Sequence, residues 1–189
     1  MSQKIIFFVF FSFIFFLTQQ FNFDVTYLSL MGFSDSLSYE AIYKCISLKN
    51  CNELYTDYAS IHLQRWFPHY LIGFINYKLS VPANILYFGF IFILFIYCYY
   101  AIYKMNKDDY TFYTFTAFIL LNPLSFRQFF YCPYMISDAI FFTSIVIFVS
   151  SILSRNSILF FSAVLMSAIS RQTALMLLPI MFLLGYYNI

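Results

Sequence analysis

Asp35 and Arg171 are the two residues around which chemistry could be built. Asp35 lies in MGFSDSLSYEAIYK, residues 31–44, a polar stretch soon after the apolar opening IIFFVFFSFIFFL. A carboxylate fixed at a membrane surface can take a proton from a hydroxyl within hydrogen-bond reach, which is general-base catalysis. Arg171 separates two apolar runs, and a guanidinium at such a break suits the phosphate of a lipid. Each residue also has a plainer role. Ser34 or Asp35 could cap a short helix starting near Leu37. Arg171 could turn a hairpin corner and snorkel to the interface, with Thr173 capping the next helix.

Four more residues could serve the same chemistry. Asp138 opens an apolar segment; a carboxylate at a bilayer centre costs about 2.5–3.5 kcal/mol on insertion scales, so Asp138 is expected at the segment's outward end. There it either serves the helix dipole or faces the same cavity as Asp35. Arg127 is a weaker phosphate candidate, since Ser125 and Gln128 beside it suit a plain loop. Arg65 and His69 flank Trp66 where the polar stretch returns to apolar sequence. Trp66 reads as an interfacial anchor, and His69 as a residue able to assist phosphate binding. Glu40, Glu53 and Asp57 read as solvated loop charges.

Composition sets the kind of scaffold that can hold these side chains. Hydrophobic residues make up 62% of the 189 and charged residues 10%, with mean hydropathy +0.78. A soluble domain carries about 25% charged residues, so the chain is expected to be an all-α polytopic membrane protein, one integral domain over 1–189. The net charge of +2 and the lack of a basic run point away from nucleic acid.

Uncharged windows mark an uncleaved first helix over Ile5–Phe23 and clear spans over Ser80–Tyr103 and Met135–Leu153. Shorter apolar segments cover Tyr110–Leu121, Ser157–Ser170 and Ala174–Tyr187. Pro123 and Pro133 bracket an expected irregular loop, and Trp66–Ser80 is too short to span and reads as interfacial or re-entrant. One helix over Ser157–Tyr187 would be about 46 Å long against a hydrocarbon core of about 30 Å, so a bent hairpin is predicted.

Lys4, Lys104, Lys107 and Arg155 fall on one side of a six-span arrangement. Residues 24–65, with five of the eight acids, fall on the other. Because lysines and arginines of short loops concentrate in the cytoplasm, the N-terminus is expected there and the long loop outside. Cys45 and Cys51 could pair in an oxidising compartment or serve as two small apolar residues.

A first helix followed by an outward loop reading SDSLSYEAI resembles the start of polyprenyl-phosphate-dependent glycosyltransferases of the GT-C superfamily. Those enzymes carry an acid-containing D-x-x-x-Y element in the first extracytoplasmic loop, which here corresponds to Asp35 and Tyr39. RWFPHYLIGFI is similar to the point where that loop re-enters the membrane. NPLSFRQFFYCPYMISDAIFF and FSAVLMSAISRQTALMLLP are similar to the middle helices, including a helix-ending arginine.

The resemblance implies an inverting transferase of the cell (inner) membrane, moving a sugar from a polyprenyl-phosphate donor to a glycan or lipid acceptor outside. Asp35 would be the base. Arg171, with Arg127 or Arg65, would hold the donor phosphate, and Tyr39, His69 and Asp138 would line the substrate site. Some members use a divalent metal; no cluster in this sequence demands one, and no other cofactor is implied. Such enzymes are usually longer, so a truncated or non-catalytic membrane protein is the alternative, as is a polysaccharide polymerase or flippase component.

Overall fold

The computed structural model describes residues 3–19, 35–47, 51, 66–105, 109–122, 125–170 and 177–188. Among them every regular element is a helix: α1 (Gln3–Thr18), α2 (Asp35–Ser47), α3 (Trp66–Leu79), α4 (Ala83–Lys104), α5 (Asp109–Leu121), α6 (Phe126–Tyr131), α7 (Ile136–Ser154), α8 (Ser157–Ser170) and α9 (Leu178–Asn188). A 3-10 turn, Pro133–Met135, leads into α7. Two helical stretches are long and apolar enough to cross a membrane, Ala83–Lys104 and Pro133–Ser154. α3 has 14 residues, about 21 Å of helix, too short to span a core of about 30 Å.

Aromatic rings hold α1 in place. Phe7 packs on Tyr113 of α5 at 4.4 Å between centroids, and Phe15 stacks on Phe95 of α4 at 5.8 Å. Phe15 and Phe16 also meet Phe130 of α6 edge-on. The other side of α1 stays uncovered: Ile6, Val9, Phe10, Phe13 and Leu17 are all more than half exposed. Similar apolar exposure runs along α4 at Ile85, Phe92, Ile93 and Ile96, and along α8 at Ile158, Phe161 and Leu165.

The α7–α8 corner shows how local sequence sets a turn. Arg155 takes a left-handed conformation (φ 51°) that ends α7. Asn156 then accepts hydrogen bonds through Oδ1 from the backbone N–H groups of Ile158 and Leu159, at 3.0 and 3.1 Å, and so caps α8. α8 ends at Ser170, and α9 packs back on it, with Phe160 against Phe182 at 6.0 Å and against Gly185. The predicted hairpin is therefore present; its corner, Arg171 to Met176, lies outside the described residues.

Five serine hydroxyls in these apolar helices are satisfied locally. Ser144, Ser151, Ser154, Ser162 and Ser170 donate to carbonyls three or four residues earlier. Other hydroxyls bind across helices: Ser150 donates to the Ala101 carbonyl, and Tyr97 to Ser162 Oγ at 2.7 Å.

The ends of the bundle can be told apart from these contacts. Lys4 pairs with Asp109 at 3.0 Å, which gathers the start of α1 and the start of α5. Ser150 on Ala101 brings the end of α7 beside the end of α4, so Lys104 and Arg155 share that end too. At the opposite end lie Thr18, the start of α4 and the 3-10 turn.

Two sequence expectations are corrected. The Pro123–Pro133 segment is not wholly irregular, because Phe126, Phe129 and Phe130 fall at helical spacing and bury together as α6. The first helix ends at Thr18 rather than Phe23, where the Thr18 hydroxyl folds back to donate to the Ile14 carbonyl at 2.9 Å. Residues 20–23 lie outside the described residues.

Candidate functional site

At that opposite end, four aromatic side chains from four elements close on one another. Tyr39 of α2 stacks face to face on His69 of α3, with centroids 4.4 Å apart and planes 10° apart. His69 Nδ1 and the Tyr87 hydroxyl of α4 share a hydrogen bond of 2.7 Å. In the neutral tautomer protonated at Nε2, the tyrosine O–H donates to Nδ1. Tyr87 in turn packs on Tyr134 of the 3-10 turn at 4.5 Å. His69 and Tyr87 are fully buried, and Tyr39 and Tyr134 nearly so.

Local sequence explains how the parts arrive. Pro68, at the third residue of α3, falls where the helix leaves N–H groups unused, so it costs no hydrogen bond. Asn76 donates through Nδ2 to the Val81 carbonyl at 2.8 Å and ties α3 to the start of α4. Ser80, at φ 53°, makes the sharp reversal between them. A disulfide joins Cys45 to Cys51, whose Cα atoms are 4.3 Å apart, and closes the end of α2.

The sequence candidates divide. Tyr39 and His69 come together, and Asp138 lies in the first turn of α7, directly after the 3-10 turn that carries Tyr134. Met135 is the N-cap of α7 and makes no side-chain cap hydrogen bond, so Asp138 stands in the first turn, where a carboxylate suits the helix dipole. Asp35 is the first residue of α2, one turn before Tyr39, but its side chain is outside the described part. Arg65 and Arg171 lie outside the described residues.

Arg127 is occupied. Its Nε donates to the Leu120 carbonyl at 3.0 Å and its Nη2 to Thr18 Oγ1 at 3.0 Å. The guanidinium also lies 5.1 Å over the Phe15 ring, and Gln19 donates to the Arg127 carbonyl. It joins the ends of α1, α5 and α6.

Sequence reasoning missed Tyr87 and Tyr134. Each is one of 18 tyrosines, most within apolar runs, and nothing in the spacing singled out these two. Below the aromatic cluster is an apolar cavity of about 190 Å³ between α3, α4, α7 and α8, lined by Leu71, Leu94, Ile140 and Met166 among others. Among the described residues, no group of three His, Cys, Asp or Glu side chains could hold a metal ion. Comparison with protein-family models, with curated proteins and with solved structures finds no match to this chain.

Proposed function

We propose that the chain is an integral membrane protein of about six passes, N-terminus cytoplasmic, that transfers a sugar from a polyprenyl-phosphate donor to an acceptor on the outer face. Asp35 acts as the base that takes the acceptor hydroxyl's proton, and Arg171 holds the donor phosphate. Donor lipid reaches the site sideways from the bilayer.

One observation carries this reading: the Tyr39–His69–Tyr87 contact fastens α2 to the membrane-type helices. Asp35 begins that helix, so its backbone is tied to the bundle end where Asp138 stands in the first turn of α7. Ile169, two residues before Arg171 in sequence, shares a cavity wall with Pro68 and Ile136 at the same end. The Cys45–Cys51 disulfide supports an oxidising compartment for α2, and the cations Lys4, Lys104 and Arg155 gather at the other end. The exposed apolar side chains of α1, α4 and α8 support a lipid surround.

A second reading is a non-catalytic membrane protein. It is favoured by Arg127, a candidate phosphate ligand whose guanidinium is engaged with Thr18 and Leu120.

The two are separated by incubating the purified chain in nanodiscs with radiolabelled polyprenyl-phosphate hexoses and pentoses and measuring release of polyprenyl phosphate. Release with any donor, dependent on protein, supports the transferase. No release across a panel of donors and glycan acceptors, from protein that remains folded, supports the non-catalytic reading.

A further inference from the structure

One side of α3 is a row of half-exposed rings. Trp66, Tyr70, Phe74 and Tyr77 recur at the spacing of one helical face and are each 44–48% exposed. The opposite side is buried at His69, Ile72 and Gly73, and there α2 packs through Tyr39. Trp66 meets Tyr70 edge-on at 5.3 Å, and Lys78 Nζ lies 5.7 Å from the Tyr77 ring centroid, so the row is continuous from one end of α3 to the other.

The chemistry of this row separates it from the other exposed faces. Along α1 and the first four turns of α4, the large exposed side chains are aliphatic or phenylalanine, as at Ile6, Phe13, Phe92 and Ile93. The α3 row instead ends in an indole N–H, two phenol hydroxyls and an ammonium group. α4 shows the same combination only where it ends, with Tyr100 and Tyr103 exposed and Lys104 over the Tyr100 ring at 5.6 Å. Rings with an apolar body and a polar tip gather where hydrocarbon meets water, and a lysine beside them keeps its head on the wet side.

The distribution of those groups along α3 fixes its tilt. Trp66 and Tyr70 stand in its first two turns, Tyr77 and Lys78 in its last. Trp66 and Lys78 are about 18 Å apart along the axis. A helix tipped into the bilayer would carry one of these sets to the middle of the hydrocarbon, about 15 Å below the boundary. Both ends need the boundary, so the helix must run along it.

We infer that α3 lies in the plane of the outer membrane–water boundary, with Trp66, Tyr70, Phe74 and Tyr77 seated among lipid headgroups and the first acyl carbons, and does not re-enter the core. α3 is then the support that holds α2 beside the membrane surface. The inference rests on the membrane placement proposed above and not on sugar transfer.

Trp66 is the chain's single tryptophan, so the unaltered protein carries its own depth probe. The full chain is reconstituted in vesicles of phosphatidylcholine spin-labelled either just below the headgroup or near the end of the acyl chain, and fluorescence quenching is compared. Two more reporters are made in Trp66→Phe protein: Tyr77→Trp at the far end of the row, and Ile93→Trp on the exposed side of α4, about 15 Å along that helix. Each replaces one exposed apolar or aromatic side chain by another. The shallow label should quench the reporters at positions 66 and 77 more strongly, and the deep label the one at position 93. The depths at 66 and 77 should agree within about 5 Å, whereas a helix entering the core would separate them by about 16 Å. A larger separation than the first, or stronger quenching of either by the deep label, overturns the proposal. So does absence of quenching at both while position 93 is quenched, which would give the row to water or to a protein partner. A position 93 reporter that neither label quenches would refute the membrane placement itself, and the inference with it.

Discussion

Tyr87→Phe isolates the bond that fastens α2 and α3 to α4. The change removes one oxygen and leaves the ring, so the contact with Tyr134 at 4.5 Å survives while the 2.7 Å bond to His69 is lost. Both residues are fully buried, so water cannot replace the missing hydroxyl. Leaving a buried group short of a partner costs about 1–3 kcal/mol. Hydrogen bonds within membrane bundles average about 0.6 and reach about 1.7 kcal/mol. The two ranges meet near 1–1.5 kcal/mol, about a five- to tenfold shift in the unfolding equilibrium. Unfolding in mixed micelles by added SDS, monitored by tyrosine fluorescence or circular dichroism, measures it. A double-mutant cycle with His69→Leu separates the bond from other effects of each change, and should give a coupling of about 1 kcal/mol. A Tyr87→Phe protein within about 0.3 kcal/mol of the original, with no coupling to His69, would show that this bond does not anchor the cluster.

Arg127→Ala should lower stability by about 1–3 kcal/mol, since it strips hydrogen bonds from Thr18 and the Leu120 carbonyl; a thermal-shift measurement checks it, and Arg127→Lys should not restore what a forked guanidinium supplied. Gly185→Leu drives a Cβ into the Phe160 ring, so it should destabilise the α8–α9 hairpin by about 1–3 kcal/mol, seen as earlier proteolysis of the C-terminal helix. Cysteines placed at Asn52 and Asn106 should label from outside and only after permeabilisation, respectively; labelling of Asn106 in intact cells would invert the proposed orientation.

Much of the helical layout was legible because hydropathy is a long-range signal. α4 and α7 stand out as uninterrupted apolar runs, and their observed limits lie within a few residues of those read from sequence. The break between α8 and α9 was legible for a similar reason, since a charge and three polar neighbours interrupt an otherwise continuous run. α6 was not. It is only six residues long, between prolines, and what makes it helical is tertiary: three phenylalanines buried against α1, α4 and α7.

The candidate site was legible in part. The charged candidates draw notice because charges are rare in this chain, whereas Tyr87 and Tyr134 are common residues in common surroundings. His69 was noticed for its chemistry but expected at an interface, within reach of a phosphate. It is instead enclosed between Tyr39 and Tyr87, because α2 folds over α3. That long-range contact has no periodic trace in the sequence.

Whether Asp35 is the base of a sugar transfer at the α2 end of the bundle is decided by Asp35→Asn. Polyprenyl-phosphate release and donor binding should be measured on the same purified preparation. Asparagine keeps the shape and polarity but cannot accept the proton, so turnover should fall by about 10²–10⁴-fold, the typical contribution of a positioned acid or base. Donor affinity should stay within about twofold, because the proposed partner of the phosphate is Arg171 and not Asp35. Turnover undiminished in Asp35→Asn, in a preparation whose unaltered chain is active, would remove Asp35 from the reaction and the proposed mechanism with it.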